Sequence, residues 1–517
     1  MKKKLKQDQF KVIERHGQLV LAINSEILLP ENAPVRLTSA QLEELNYEKL
    51  YGAYSARGRK TKVDPRVMFK VMVYGYQCGI YSSRKLEEAC KYRIDFKWLL
   101  EDREEPDHST FARFRTGRCA DAVEDLFYQY VKLLEKQGET DHETVFVAGT
   151  KLESSAGRYT FCWRGSVEKH LNRVREKVFQ LTGLKKRQKL QEYLVQQREH
   201  IAFVRGRGKH KSEEQLRWEE LDALCKRWEG YEDSLKIMGE TRNSYSKTDP
   251  DATFMRMKED HMRNGQLKPA YNVQIAVNSE YITGVDVFSN RTDFGTLVPF
   301  LKQLQHHHKA KYKEVTADAG YESLENYLFL EENGQVSFIK PANYEAQKTK
   351  KFRQKIGRIE NMAYDAEEDC FTCAEGRKLP LRRETSELVN GHFVTTAHYR
   401  CESCKDCPRR SACCQAKDLE KPKEVTLKKT FWEKRAESQK NITTERGIYL
   451  RMCRSIQVEG AFALLKNDFG FRRFLTRGKQ NVRTELFFLA MAFNLKKFWM
   501  KRENGRLKTH LSEIRTA

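Results

Sequence analysis

The chain lacks any long hydrophobic run: in 517 residues the longest is eight, Leu486 to Phe493. A helix needs about 20 to cross a bilayer, which excludes a membrane-spanning role. Acidic charge is also short, with 72 Asp and Glu against 95 Lys and Arg. The net charge of +23 and pI near 9.3 ask for a polyanionic partner. No apolar segment follows Met1-Lys2-Lys3-Lys4, so no secretory signal is expected and the reading is a protein of the reducing cytoplasm. Hydrophobic residues at 39% and aromatics at 11% are enough to build cores and rule out wholesale disorder. The length predicts about three or four units, or fewer with long insertions.

The 13 cysteines are an odd number, and seven fall between Cys370 and Cys414. Such crowding reads as metal rather than disulfide. The spacing is Cys370-x2-Cys373, Cys401-x2-Cys404-x2-Cys407 and then Cys413-Cys414, and paired thiolates separated by a loop suit tetrahedral Zn²⁺. One structural Zn²⁺ is expected, most simply on Cys370, Cys373, Cys401 and Cys404. Cys407 with Cys413 or Cys414 is the alternative partner set for the second pair, and a redox-idle cluster is the plain alternative. Cys78, Cys90, Cys119, Cys162, Cys225 and Cys453 are read as small buried hydrophobes.

Residues 1–140 predict a short strand at Gln18 to Ile23 and then several helices. Asp64-Pro65 marks one helix start, Ser82 a second and Asp107 a third, before Phe111-Ala112-Arg113-Phe114-Arg115. Capped short helices bearing arginine match a helix-turn-helix-like DNA reader and equally an ordinary helical domain. The loop Arg57-Gly58-Arg59-Lys60-Thr61-Lys62 adds cations. Residues 166–244 predict a two-helix hairpin, with Leu171, Val174, Val178 and Leu181 on one seam and Leu221, Leu224, Trp228, Tyr231 and Leu235 on the other. The Arg205 to Lys211 turn between them either touches phosphate or is merely solvated.

The period then changes to two. A strand is expected at Thr144 to Val147, a hairpin at Tyr271 to Val287, a helix near Gly295 to Gln305 and a strand at Tyr312 to Thr316. A helix near Leu324 to Glu332, a strand at Val336 to Ile339 and a helix over about Glu445 to Lys466 follow. That order is α/β and RNase H-like, a scaffold that by itself fixes no chemistry. Asp318 falls just past a strand, where polar sites in open α/β sheets collect, although a turn or capping role is the ordinary one. Glu459 and Lys466 are seven apart, two α-helical turns, and so are expected on one side. Carboxylates with a nearby cation suit two-metal phosphoryl transfer.

These residues carry a resemblance to a known family. Arg84-Lys85-Leu86-Glu87-Glu88, Pro106 to Arg115, Gly149-Thr150-Lys151, Thr248-Asp249-Pro250-Asp251-Ala252 and Tyr271-Asn272-Val273-Gln274 are five of the matching stretches. Ala317-Asp318-Ala319-Gly320-Tyr321 and Val458-Glu459-Gly460-Ala461-Phe462 are two more. In these the chain resembles the DDE transposases of bacterial insertion sequences, in the group numbered eleven eighty-two. The likeness implies Asp318 as the second catalytic Asp, Glu459 as the catalytic Glu, Lys466 as the lysine beyond it, and Mg²⁺ or Mn²⁺ on the carboxylates. The first catalytic Asp is replaced: the family strand ends Asp-Gly-Thr-Lys, and this one reads Ala148-Gly149-Thr150-Lys151. A methyl group cannot ligate Mg²⁺. Ala148 therefore implies a catalytic-null form, by design or by decay toward a DNA-binding regulator, and Glu153 is a poor stand-in.

The expected organisation is an N-terminal helical DNA-binding domain (1–140), a core in three pieces (141–165, 245–344 and 441–500), a hairpin insertion (166–244), a cysteine-rich zinc insertion (345–440) and a basic tail (501–517). The partner expected is double-stranded DNA, both terminal inverted repeats and target, bound by a homodimer in the cytoplasm at the nucleoid. Candidate DNA contacts are Arg57, Arg59, Lys60, Arg113 and Arg115. Arg472, Arg473, Arg477 and Lys479 join them, in a stretch that interleaves aromatics with cations. Two other functions fit: a non-catalytic regulator, and an RNase H-like nuclease without strand transfer.

Overall fold

The computed structural model describes residues 25–55, 61–101, 103–204, 210–257, 265–389, 392–414, 418 and 420–510. The expected strand at Gln18 to Ile23 and the cations Arg57, Arg59 and Lys60 lie outside the described residues, as do residues 205–209 of the hairpin turn.

Asp64 accepts the Arg66 amide and Pro65 takes the first position of the helix Pro65–Gln77. Asp107 caps His108–Arg113 through the Thr110 amide, whereas Ser82 makes no side-chain cap before Ser83–Tyr92. These helices have no core of their own. They share one with the C-terminal helix Lys479–Glu503, whose run Leu486 to Phe493 is buried on every side. A helix apolar all round is stable in water only when surrounded. It packs on Pro34–Glu43, Pro65–Gln77, Val123–Lys136 and the main sheet. Glu139 and Lys501 pair in that core at 2.8 Å, 1% and 2% exposed, and the Tyr281 hydroxyl donates to the same carboxylate at 2.8 Å. The boundary near residue 140 is thus one of sequence and not of packing.

The first eight strands are β1 (Thr144–Glu153), β2 (Phe161–Trp163), β3 (Ser244–Ser246), β4 (Thr253–Arg256), β5 (Leu267–Asn278), β6 (Tyr281–Phe288), β7 (Glu314–Ala317) and β8 (Val336–Ile339). Six form one mixed sheet in which β1 lies between β5 and β7, β8 follows β7, and β5 also pairs with β4 and β6. β5 and β6 make the expected hairpin, closed by Ser279 and Glu280 at φ 50° and 73°, the left-handed pair that matches strand twist. β1 is antiparallel to β5 but parallel to β7, and β7 is parallel to β8. One face carries the helices Leu297–His308 and Leu324–Glu332 over Val145, Val147 and Val315. On the other, Phe146 and Ala148 join the large shared core.

Between β2 and β3 the chain forms three helices rather than the expected two: Arg164–Thr182, Arg187–His200 and Glu213–Met238. Leu190 and Leu194 of the extra helix enter the seam with Leu171, Val178, Leu221 and Trp228. Gly183, left-handed at φ 71°, ends the first helix where the single-seam reading ran on. The cysteine-bearing region is a five-stranded antiparallel sheet of β9 (Ala363–Asp365), β10 (Cys370–Thr372), β11 (Lys378–Val389), β12 (His392–Arg400) and β13 (Glu424–Lys428), in the order β13-β12-β11-β10-β9. The helix Lys429–Thr443 follows β13 directly and packs on β12 and β8.

Candidate active-site edge and thiol cluster

The strand expected to end before Ala148 continues to Glu153. Ala148 is therefore inside β1, opposite Ile275 and 5% exposed. The parallel register pairs Thr144 with Glu314 and Phe146 with Thr316, so continuing it sets Ala148 level with Asp318. Asp318 is half-exposed and both oxygens are engaged: Oδ1 accepts the Gly320 amide at 2.8 Å, and Oδ2 takes Arg454 Nη2 at 3.0 Å. The same guanidinium donates from Nε to the Val147 carbonyl at 3.2 Å. Arg454 thus bridges β1 and the residue just past β7.

Arg454 and Glu459 belong to one irregular helix. Glu445–Arg454 is α-helical, Ser455–Glu459 is a π-helical run, Gly460–Ala463 is α-helical again and Leu464–Asp468 is π-helical. Such widened turns recur at functional sites. They also break the two-turn phase inferred for Glu459 and Lys466, because that inference assumed 3.6 residues per turn throughout. Val458, fully buried, and Leu465, 5% exposed, hold the helix to the core, and the first π-helical run packs on β1 and β5. Glu459 is exposed and its Oε1 lies 3.4 Å from Ser455 Oγ. Lys466 is half-buried. Glu153 is committed elsewhere, to Arg158 and Lys268, each at 3.3 Å.

One acidic residue at this edge escaped the sequence reading. Asp293 Oδ1 accepts Asn272 Nδ2 at 2.7 Å and Gln274 Nε2 at 3.0 Å, from buried amides on β5. Its Oδ2 and Asp318 Oδ1 lie 3.3 and 3.0 Å from the point where a Cβ on Gly320 would sit. A Cβ on Gly149 would fall 2.4 Å from Gln274 Nε2 and 2.7 Å from Asp293 Oδ1, so the glycine after Ala148 leaves room for this carboxylate. Arg454 was missed likewise. Neither has a local signature, since both are defined by what β1 and β5 bring to them.

The basic candidates divide. Arg115 is 4% exposed, its Nη2 donates 2.5 Å to the Tyr81 carbonyl and its guanidinium lies over the Tyr76 ring, so it is a packing residue and not a phosphate contact. Arg113 is exposed. Phe471 and Phe474 are buried against Tyr81 and Tyr271, so the interleaved aromatics anchor the loop and offer no stacking face. Arg472, Arg473, Arg477 and Lys479 remain exposed around them. Arg473 and Arg477 donate to the carbonyls of Ser154, Ala156 and Ser155, which sets the cations beside the carboxyl end of β1.

In the small sheet the thiols fall into two places. Cys370, on β10, has its sulfur 3.7 Å from Glu368 Oε2. With Asp365 it makes the one described group of three ligand-type atoms lying within 4.8 Å of each other. Glu368 is ion-paired with Lys378, and Asp365 accepts the amides of Glu367 and Glu368. Cys373 lies past β10, in the loop tied by Arg377 to the carbonyls of Ser403 and Asp406 at 2.8 and 3.5 Å. Burial and the adjoining Cys404 thiol push the Cys401 thiol up to about 11, and Cys373 also bears on it. Burial likewise raises Cys413, beside Cys373, Cys404 and Cys414. All described cysteines are free thiols.

Two family models match parts of the chain. Residues 372–499 match the family model described as a transposase DDE domain, and residues 24–117 match that of a transposase domain, DUF772. The two matches indicate a transposase. The first spans Glu459 and Lys466, while Ala148 and Asp318 lie outside both. No curated protein and no solved structure matches the chain. No described helix is long and apolar enough to cross a membrane.

Proposed function

We propose that the chain is a DDE-type DNA transposase of a bacterial insertion sequence, of the group numbered eleven eighty-two, in a form that binds DNA but does not cut it. The observation that carries this reading is the register of β1 with β7, Phe146 opposite Thr316, which continued by two residues brings Ala148 level with Asp318, under the helix that bears Glu459. Strand directions and order support an RNase H-like core: three antiparallel strands, then two parallel to the first. Asp318 and Glu459 take the second and third acidic positions, and Lys466 supplies a cation near the scissile phosphate. The donor set for Mg²⁺ or Mn²⁺ is incomplete. Ala148 offers a methyl where a third carboxylate is wanted, and Arg454 already neutralises Asp318.

What the chain does unaided is hold DNA. The exposed cations Arg473 and Arg477 lie at the end of β1 with Arg472 and Lys479 in the same stretch, and Arg113 with the N-terminal helices reads the terminal inverted repeats. Phosphate contacts position the duplex and base contacts select it. A homodimer brings two ends and the target together. The Arg454–Asp318 pair favours a second reading, a transposase-derived regulator that occupies element ends without chemistry. End cleavage in Mg²⁺ or Mn²⁺ by the chain and by Ala148→Asp separates the two. Rescue supports the null transposase, absence of rescue the regulator, and strong cleavage by the unmodified chain overturns both.

A further inference from the structure

The five-stranded sheet β9 to β13 is poorly supplied with apolar surface. Its core is Met362, Phe371, Leu379, Ala397, Tyr399, Cys401, Val425 and Leu427, and three half-buried cysteines, Cys373, Cys404 and Cys413, pack against it. Small units of this kind usually need a staple, and free thiols in a reducing compartment point to metal rather than to disulfides.

Three loop tips carry these thiols and are tied to one another by hydrogen bonds. The first is the turn after β10, closed by the Gly376 amide on the Cys373 carbonyl at 2.9 Å. The second is the loop from Cys401 to Cys407, tied to the first by Arg377. The third is the short helix Arg410–Cys413, whose Arg410 donates to the Cys404 carbonyl at 3.4 Å. Cys401 and Cys404 are both engaged with Lys423: its amide donates to Cys404 Sγ at 3.3 Å, and its carbonyl accepts the Cys401 amide at 2.9 Å. An amide aimed at sulfur in a Cys-x2-Cys loop is the contact that stabilises a ligating thiolate.

We propose that Cys373, Cys401, Cys404 and Cys413 bind one thiophilic divalent cation, Zn²⁺ in the cell, and that Cys370 takes no part. The four side chains close on the ion as their thiol protons are released to solvent. Cys370 points to a different neighbourhood, with Asp365 and Glu368 already spoken for by backbone amides and Lys378. The choice differs from the simplest pairing by spacing because Cys370 lies within β10 beside Glu368, whereas Cys373 lies beyond it in the loop that Arg377 ties to Ser403 and Asp406. Through Lys423 the ion also fixes the start of β13, which runs straight into Lys429–Thr443 against the main sheet.

The test uses the full chain purified without chelator. Metal analysis should give about one equivalent of zinc; Cys401→Ser and Cys413→Ser should fall below a fifth of that, and Cys370→Ser should keep it. In case a serine variant misfolds, the unmodified chain loaded with Co²⁺ should show the visible bands and sulfur charge-transfer absorption of a tetrahedral thiolate site, unchanged in Cys370→Ser. Loss of the ion in Cys370→Ser, retention in Cys401→Ser, or Co²⁺ bands lacking the sulfur transition would overturn the assignment. None of these readouts involves DNA cleavage, so the outcome is independent of the transposase reading.

Discussion

The main sheet and the cysteine-bearing sheet each gather ligand-type side chains from distant parts of the chain, yet they tolerate the loss of one very differently. Ala148 sits in a strand gripped on both sides and beneath a helix, inside a core running from Val35 to Phe498. On the proposed reading, a carboxylate absent there costs chemistry and leaves packing intact. The small sheet has eight buried core residues, and one of them is itself a proposed ligand, Cys401. There a missing donor should remove structure. Function is most easily lost without unfolding where the surrounding core is largest.

Restoring the donor gives the widest separation. Ala148→Asp should raise end cleavage in Mg²⁺ by about 10⁴-fold or more, some 5 kcal/mol of barrier, in a strand-nicking assay. Asp318→Ala or Glu459→Ala in that background should return it to baseline. The main core is broken from another side by Lys501→Met, which strands the Glu139 carboxylate. Urea unfolding should register a loss of about 3–5 kcal/mol, with hydrogen exchange rising in the N-terminal helices and the C-terminal helix together. Separate responses would mean that the two do not share one core.

Acid should weaken the same region by a smaller amount. Burial holds His308 down to about 4 from 6.5, and its ring nitrogen lies 2.9 Å from the Thr283 carbonyl. The neutral ring is favoured in the folded state, so its contribution is full above pH 6.5 and is lost as pH falls toward 4, up to about 3 kcal/mol. His308→Gln should flatten that part of the stability profile in urea titrations at stepped pH. Arginine replacements give the finest contrast. Arg473→Ala should lower the salt slope of DNA binding by about 1 and leave the melt in place. Arg115→Ala should lower the melt and leave the slope alone, as read by fluorescence anisotropy between 50 and 200 mM salt.

Much of this was readable beforehand where the signal is local. Asp64 and Asp107 mark helix starts by hydrogen bonds within three residues, Pro65 by its fixed φ, and the β5–β6 hairpin follows from alternation and its turn. The helix Leu324–Glu332 and strand β8 match their expected bounds. Reading failed where distant contacts decide: the third helix between β2 and β3, the π-helical runs around Glu459, and the fate of Arg115, which looks like its exposed neighbour Arg113.

The sequence by itself determined the charge that calls for a polyanion and the order of strands and helices, and it singled out Ala148, Asp318 and Glu459 as candidates. These depend on composition and on periods that a linear chain displays. Only the tertiary structure decided that Ala148 lies level with Asp318, that Arg454 and Asp293 share that edge, and that Cys373 rather than Cys370 turns toward Cys401. Each is a matter of strand register or of the face a side chain takes. One residue of slip reverses every face of a strand, and register is set by the neighbouring strands and the core beneath them.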